Sequence, residues 1–341
     1  MNVVAVPDKF RSTATAREVA DAICRAATDE GSTCQAIPVA DGGEGLLEVL
    51  GGGNRTTSVS GPLGDQVIAS WRCNKQTAVV EMAQASGLSL IGGPENNDPV
   101  AASSFGTGEL ISSAIDAGCR RIVVGVGGSA STDGGLGAIR ALEPLNRMRG
   151  VDLVVACDVR TYFIDAASVF APQKGASAAQ VRLLQRRLER LVQVYDQNYG
   201  LDVSSLIGAG AGGGLAGGLA AIGGQLLSGF DVVADELELH EHLEEADLVI
   251  TGEGFLDEQS FEGKVVGGVI ELAGQSKVPV LVIVGEVVKD LSLPAHVSKQ
   301  STSKPKVQIV SLVEQFGREK AMSETLDCVE AIVKAHLVLK R

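Results

Sequence analysis

The chain is poor in the residues that most often perform chemistry. It has four histidines (His240, His242, His296 and His336), all in its C-terminal part and away from every glycine-rich motif. No serine, histidine and aspartate set therefore stands at a nucleophile elbow. Aromatic residues make up only 4% of the chain and tryptophan occurs once. The six cysteines (Cys24, Cys34, Cys73, Cys119, Cys157 and Cys328) form no C-x-x-C and no metal-ligand spacing. That predicts reduced thiols in a cytoplasmic protein. Positive charge is scarce too: 29 Lys and Arg against 42 Asp and Glu leave a net charge of -13 at pH 7. Neither nucleic acid nor an anionic membrane surface is an expected partner. The opening "MNVVAVPDKFR" lacks the basic and long apolar regions of an export signal and reads as a first strand. From Ser204 to Phe230 charge is missing altogether, over a length sufficient to cross a bilayer. Its many glycines, and the acidic segment that follows without a Lys or Arg anchor, favour a buried helix with small faces instead. The first glycines of that stretch are expected to line a ligand.

What the chain has is glycine, 42 residues of it, with 45% hydrophobic content spread over 341 residues. These values predict a two-domain α/β protein with many tight turns. "NVVAVP", "TAREVADAICRAATDEG" and "TCQAIPVA" read as strand, helix and strand, with Thr13 or Thr15 as N-cap and Val19, Ile23, Ala26 and Ala27 on the buried face. A short helix follows at "GEGLLEVL". "TTSVSGPLGDQVIASWRCNKQTAVVEMA" then has no room for crossover helices, so its strands are expected to be antiparallel. The helix "GTGELISSAIDAG", the strands "RRIVVGVG" and "VDLVVACDV", and an amphipathic helix around "RLLQRRLER" continue that second sheet. "ADLVITGEG", "VPVLVIVGE" and "KVQIVSL" restore parallel α/β alternation. The expected architecture is a doubly wound five-stranded domain, residues 1–50 and 230–341, with a second mixed-sheet α/β domain, residues 51–229, inserted in it.

Ligands of open parallel sheets bind beyond the carboxyl ends of the strands. The segments placed there are "PDKFRST" (Asp8, Lys9, Arg11), "ADGGEG" (Asp41, Glu44), "TGEGFLDEQS" (Glu253, Asp257) and Glu286. The inserted domain adds "GVGGSASTDGG" (Gly127, Gly128, Ser129, Asp133), "ACDV" (Asp158), "PQKGA" (Lys174) and "GAGAGGG" (Gly212, Gly213), and a cleft between the domains is the expected site. Carboxylates for Mg²⁺ and for a hydroxyl proton, cations for phosphoryl oxygens and glycine N–H groups for phosphates together describe phosphoryl transfer. A Walker A loop is absent, because Gly263 and Lys264 in "FEGKVV" have neither the preceding glycine spacing nor a following Ser or Thr. "GVGGSA" also fits a loose dinucleotide fingerprint, which keeps a nicotinamide-dependent dehydrogenase as a rival reading.

In the same order, "PDKF", "VADGGEG", "GPLGD", "VEMAQASGL", "FGTGEL", "GVGGSASTDGG", "VACDV", "FAPQKGA", "GAGGGLAGG" and "DLVITGEGFLDEQS" resemble the motifs of the bacterial type I glycerate kinases across nearly the whole chain. The resemblance implies a flavodoxin-like domain carrying an insert, and transfer of the γ-phosphoryl group of ATP to D-glycerate with Mg²⁺, giving 2-phosphoglycerate. It implies Asp41, Asp133 and Lys9 as catalytic residues, and Asp8, Arg11, Lys174 and Asp158 around the substrate. Gly127, Gly128, Ser129, Gly212 and Gly213 would hold the nucleotide, and Glu253 and Asp257 the metal. The small-molecule substrate is the expected partner, and a homo-oligomer stays open. The chain departs from the family pattern at Arg11–Thr13, at Thr132 in place of Asn, at "CDVRTYF" with its new Arg160, and at Phe255, where the family usually has Arg. These departures make a catalytically impaired, ligand-binding homologue the second alternative.

Overall fold

The computed structural model describes residues 1–10, 12–261, 263–289, 291 and 306–339. Its eleven strands are β1 (Asn2–Pro7), β2 (Thr33–Ala36), β3 (Arg55–Ser60), β4 (Gln66–Asn74), β5 (Thr77–Glu81), β6 (Arg121–Gly125), β7 (Asp152–Cys157), β8 (Gln225–Ser228), β9 (Leu248–Leu256), β10 (Val280–Val287) and β11 (Val307–Ser311). The chain divides into two compact units, Met1–Asp41 with Phe230–Arg341, and Gly42–Gly229.

The first unit is built on five parallel strands in the order β11-β10-β9-β1-β2. Counted within the unit this is 2-1-3-4-5, a doubly wound order whose direction reverses between β1 and β9. The inner strands β1, β9 and β10 are continuous buried runs, because helices cover both faces there. Val3, Ala5, Leu248, Ile250, Leu281 and Ile283 pack against Val19, Ile23 and Ala26 of the helix Ala16–Asp29 and Val329 and Val333 of the helix Thr325–Val338. Of the two expected N-caps the structure uses Thr15. It closes a capping box in which Glu18 N donates to Thr15 Oγ1 (3.2 Å) and Thr15 N donates to Glu18 Oε2 (2.8 Å).

One expectation fails in this unit. Cys24 and Cys34 are joined by a disulfide across a Cα–Cα distance of 5.1 Å, so the cysteines are not all reduced thiols. The turn after the first helix folds β2 back against the helix that carries Cys24, a proximity that a spacing of ten residues does not announce. The bond also removes the cysteine argument for a cytoplasmic location.

The second unit carries a six-stranded sheet in the order β3-β4-β5-β6-β7-β8. The pairs β3–β4 and β4–β5 are antiparallel, as the absence of crossover helices requires, and β5 to β8 run parallel. Trp71, Leu110, Ile111, Ile122, Val124, Val155, Leu215 and Leu219 lie in its core. The join expected near residue 51 falls at residues 41 and 42 instead. The cause is a buried carboxylate: Glu81 Oε1 accepts hydrogen bonds from Gly45 N (3.0 Å) and Leu47 N (2.7 Å), fastening the short helix Leu46–Val49 to the end of β5. The glycine-rich stretch before residue 230 is not one helix. Left-handed backbone at Gly212, Gly213 and Gly214 breaks it, leaving the buried helix Leu215–Ala221 and then β8. Among the described residues no helix is long and apolar enough to cross a membrane.

Candidate active site

In the first unit the chemistry gathers where the sheet order reverses. Pro7 of β1 stands opposite Gly252 of β9, and Asp8 N donates to Gly252 O (2.9 Å). Gly252 has to be glycine, since a Cβ there would lie 1.9 Å from Ile283 O. This close packing brings Asp8 and Glu253 side by side at the carboxyl edge. Asp8 is buried and its Oδ1 accepts from Lys9 N (2.7 Å). The chain after β2 runs along the same edge, with Ile37 N donating to Ala5 O (2.8 Å) and Val39 N to Pro7 O (3.1 Å), and delivers Asp41, also buried. Asp8, Asp41 and Glu253 thus come from three separate strand ends, as the sequence led us to expect.

Glu253 is the most perturbed carboxyl group at this edge. Burial pushes its pKa up to about 7, and the negative charges of Asp8 and Asp257 add to that, against a hydrogen bond from Ser260 and the Lys264 ammonium. Its Oε1 is buried without a hydrogen-bond partner. A raised carboxyl with an unoccupied acceptor marks a place where a hydroxyl or a cation can be received. Asp257 is differently employed: its Oδ1 accepts from Ser260 N (3.0 Å) and Ser260 Oγ (3.3 Å), and its own N–H donates to Ser260 Oγ (3.1 Å). Lys9 is half-buried beside Asp8, and Arg11 lies outside the described residues, as does His296. Phe255 is half exposed, opposite Glu286 in the β9–β10 register. Glu286 itself accepts from both Nη atoms of Arg318 (3.1 and 2.8 Å) in an exposed ion pair.

The second unit has its own cluster beyond β6. Lys174 is fully enclosed, and its Nζ donates to Ser129 Oγ and Ser131 O, both at 2.6 Å. Burial pulls its pKa down to about 7 although the Asp133 carboxylate favours the charged form. The Ser131 and Thr132 hydroxyls and Asn97 Oδ1 are buried without partners in the same loop system, where Asn97 Nδ2 donates to Ala130 O (3.1 Å) and Lys174 O (2.9 Å).

Asp133, expected to be catalytic, is placed as a fastener. Its Oδ2 accepts from Ser104 N (2.8 Å), Ser104 Oγ (2.9 Å) and Gly137 N (3.2 Å), and its Oδ1 from Gly135 N (3.1 Å). It ties the start of the helix Phe105–Asp116 to that of the helix Leu136–Leu142. Close packing by itself requires glycine at 127 and 128. A Cβ on Gly127 would meet Gly43 Cα at 2.7 Å, and one on the left-handed Gly128 would meet Glu44 Oε1 at 2.3 Å. Gly213 is likewise covered, by Ser131 O at 2.1 Å from a Cβ, and Gly212 by Met82 Sδ at 2.9 Å. Asp158 follows β7 half-buried, and its charge adds to the burial that pushes the Cys157 thiol up to about 12.

Sequence reasoning missed Glu81, Asn97 and Ser104. Glu81 had a signal, since it is the one carboxylate ending the apolar strand "TAVVE"; Asn97 and Ser104 had none, because their partners are 33 and 29 residues away. Among the described residues no group of three or more His, Cys, Asp or Glu is poised around a metal position.

A two-unit α/β protein with titratable groups at the carboxyl ends of a doubly wound sheet and of a mixed sheet is the class that this fold and site define. The chain matches the model of the Glycerate kinase family over residues 3–145 and 143–335. It is 38% identical over 333 residues to the glycerate 2-kinase of Escherichia coli (strain K12), covering 86% of this chain and 87% of that one. It is 36% identical over 330 residues to the glycerate kinase of Bacillus subtilis, covering 85% and 86%. A crystal structure described as that of a candidate glycerate kinase 2 from Salmonella typhimurium LT2 superposes with a TM-score of 0.81 at 32% identity, over 99% of this chain and 98% of that one. The chain belongs to the glycerate kinase family.

Proposed function

We propose that this chain transfers the γ-phosphoryl group of ATP to the 2-hydroxyl of D-glycerate, giving 2-phosphoglycerate. The observation that carries the reading is Glu253, a half-buried residue with one buried, unpartnered oxygen and raised proton affinity, beside Asp8 at the reversal point of the sheet. Ligands of such sheets sit at that point. Asp41 orients the acceptor hydroxyl and takes its proton, while Lys9 and Arg11 hold the carboxylate of glycerate. The triphosphate is received in the second unit by backbone N–H groups around Ser129. Glu44 covers Gly128 and so directs the phosphates toward the serine side of the loop.

The residues present fit Mg²⁺. That ion takes one or two protein carboxylates and fills its remaining positions with phosphate oxygens and water. Glu253 offers a buried free oxygen and Asp257 the oxygen not engaged by Ser260. When bound, the ion supplies positive charge against the phosphate oxygens.

A coupled assay with ATP, Mg²⁺ and D-glycerate, with phosphorus NMR of the product, tests the reading. ADP and 2-phosphoglycerate are expected, and Asp41→Asn should lower kcat by about 10²–10⁴-fold, the usual worth of a proton-transfer group. The half-exposed Phe255, an uncharged ring in the loop that carries Glu253, favours one second reading, a ligand-binding homologue without turnover. Binding of D-glycerate without ADP release would establish that reading instead.

A further inference from the structure

We propose that Cys73 and Cys119 form an oxidisable dithiol that closes a second disulfide at the amino-terminal edge of the six-stranded sheet. Their sulfur atoms lie 3.4 Å apart, in direct contact. A disulfide needs about 2.0 Å between sulfurs, so side-chain rotation closes most of the remaining gap. The topology explains the approach. Cys73 stands on β4 opposite Ala78 of β5, and Ala78 is paired on its other side with Ile122 of β6. Cys119 sits just before β6, where its N–H donates to Ala114 O (3.0 Å) and closes the helix Phe105–Asp116. The two thiols therefore meet across β5.

The other cysteines have no such neighbour. Cys24 and Cys34 are already bonded to each other. Cys157 Sγ donates to Val155 O (3.6 Å) and Cys328 Sγ to Lys320 O (3.9 Å). Within the contacting pair the roles differ. Cys73 is half-buried and open to a small oxidant, whereas Cys119 is fully buried and its thiol is pushed up to about 11, chiefly by that burial. The oxidant chemistry is that of a hydroperoxide. Cys73 gives up its proton and the thiolate attacks one peroxide oxygen; the O–O bond breaks, leaving a sulfenic acid and a hydroxide that takes that proton as water. Cys119 Sγ then attacks Cys73 Sγ; the S–O bond breaks, and the departing hydroxide takes the Cys119 proton as water. Two thiols and one hydrogen peroxide become one disulfide and two waters.

The bond would act as a clip. β4 holds β5 through only three register pairs, Arg72 with Val79, Cys73 with Ala78 and Asn74 with Thr77, and the clip falls on the middle one. It lies at the opposite ends of β5 and β6 from Glu81 and Gly125, so it leaves the candidate active site alone.

The test is to treat the full-length protein with a small excess of hydrogen peroxide and digest it without reduction. The expected result is a peptide pair linked through Cys73 and Cys119, with the free-thiol titre falling from four to two per chain. Cys73→Ser should give no linked pair, and Cys119→Ala should hold Cys73 as a sulfenic acid that a cyclic diketone captures. Oxidation of Cys73 to sulfinic or sulfonic acid without a link to Cys119, or an unchanged thiol titre, would overturn the proposal. Should Cys119→Ala fail to fold, the wild-type peptide pair and the half-exposed Cys73→Ser variant still decide.

Discussion

Asp133 and Glu253 are both carboxylates in glycine-rich loops, and their surroundings give them opposite work. Asp133 accepts hydrogen bonds on both oxygens from Ser104, Gly135 and Gly137, while Glu253 keeps one buried oxygen empty. Removing a group that satisfies several buried donors costs the desolvation of each donor left behind. Asp133→Ala should therefore lower stability by about 3–5 kcal/mol, and Asp133→Asn by less, as read from urea midpoints. Glu253→Gln should leave the midpoint in place or raise it and lower kcat by ~100-fold or more, the scale expected when a charged contact to the reacting group is lost. Lys174 supplies a pH signature. Its folded pKa, about 7, lies below the value of 10.5 for an unperturbed lysine, so between these values the unfolded chain holds a proton that the folded chain has shed. Stability should then rise from pH 7 toward pH 10 with a contribution of ~1.4 kcal/mol per pH unit from this group. Lys174→Met should flatten that rise, as followed by urea unfolding across the range.

Segments whose partners are near in sequence, or whose pattern is periodic, were legible before the structure: β1, a threonine cap at Thr13 or Thr15, the antiparallel run from β3 to β5 and the three late parallel strands. Features fixed by long-range contact were not. The join moved from residue 51 to 42 because Glu81 captures two backbone N–H groups 34 and 36 residues away. The hydrogen bonds that Asp133 accepts from Ser104 were not legible, because an aspartate in a glycine turn has the same spelling whatever it meets. Nor does anything in "GVGGSAS" reveal that Glu44 lies against Gly128. This gives an element-scale test. Gly128→Ala places a Cβ against Glu44 Oε1 in a left-handed backbone. It should cost about 1–3 kcal/mol of stability, the usual size of such backbone strain. Adding Glu44→Ala should recover only the part due to the clash, and a double-mutant cycle on unfolding midpoints separates the two. The Cys24–Cys34 bond, closing a loop of ten residues, should contribute about 2–3 kcal/mol to the unit that holds it, measured as the difference between the wild type and Cys24→Ser with Cys34→Ser.

For the molecule as a whole the excess of negative charge matters most. A net charge of -13 repels the proposed substrates, ATP and D-glycerate, alike before either meets a local cation. Salt screens that repulsion, since the Debye length falls from about 30 Å at 0.01 M to about 8 Å at 0.15 M. kcat/KM for each substrate should accordingly rise by roughly 2- to 10-fold over that interval, with kcat itself little changed. A fall would mean that local positive charge governs the encounter.

The second unit also begins and ends at one spot. A Cβ on Gly42 would lie 2.6 Å from Gly229 Cα, so the two passages of the chain touch. A segment with coincident ends behaves as a cassette: a gene could acquire or shed it in one event, leaving the host strand order unbroken. Residues 42–229, which carry a core of their own, are thus the natural piece to exchange between relatives when asking which unit sets the preference for one nucleotide over another.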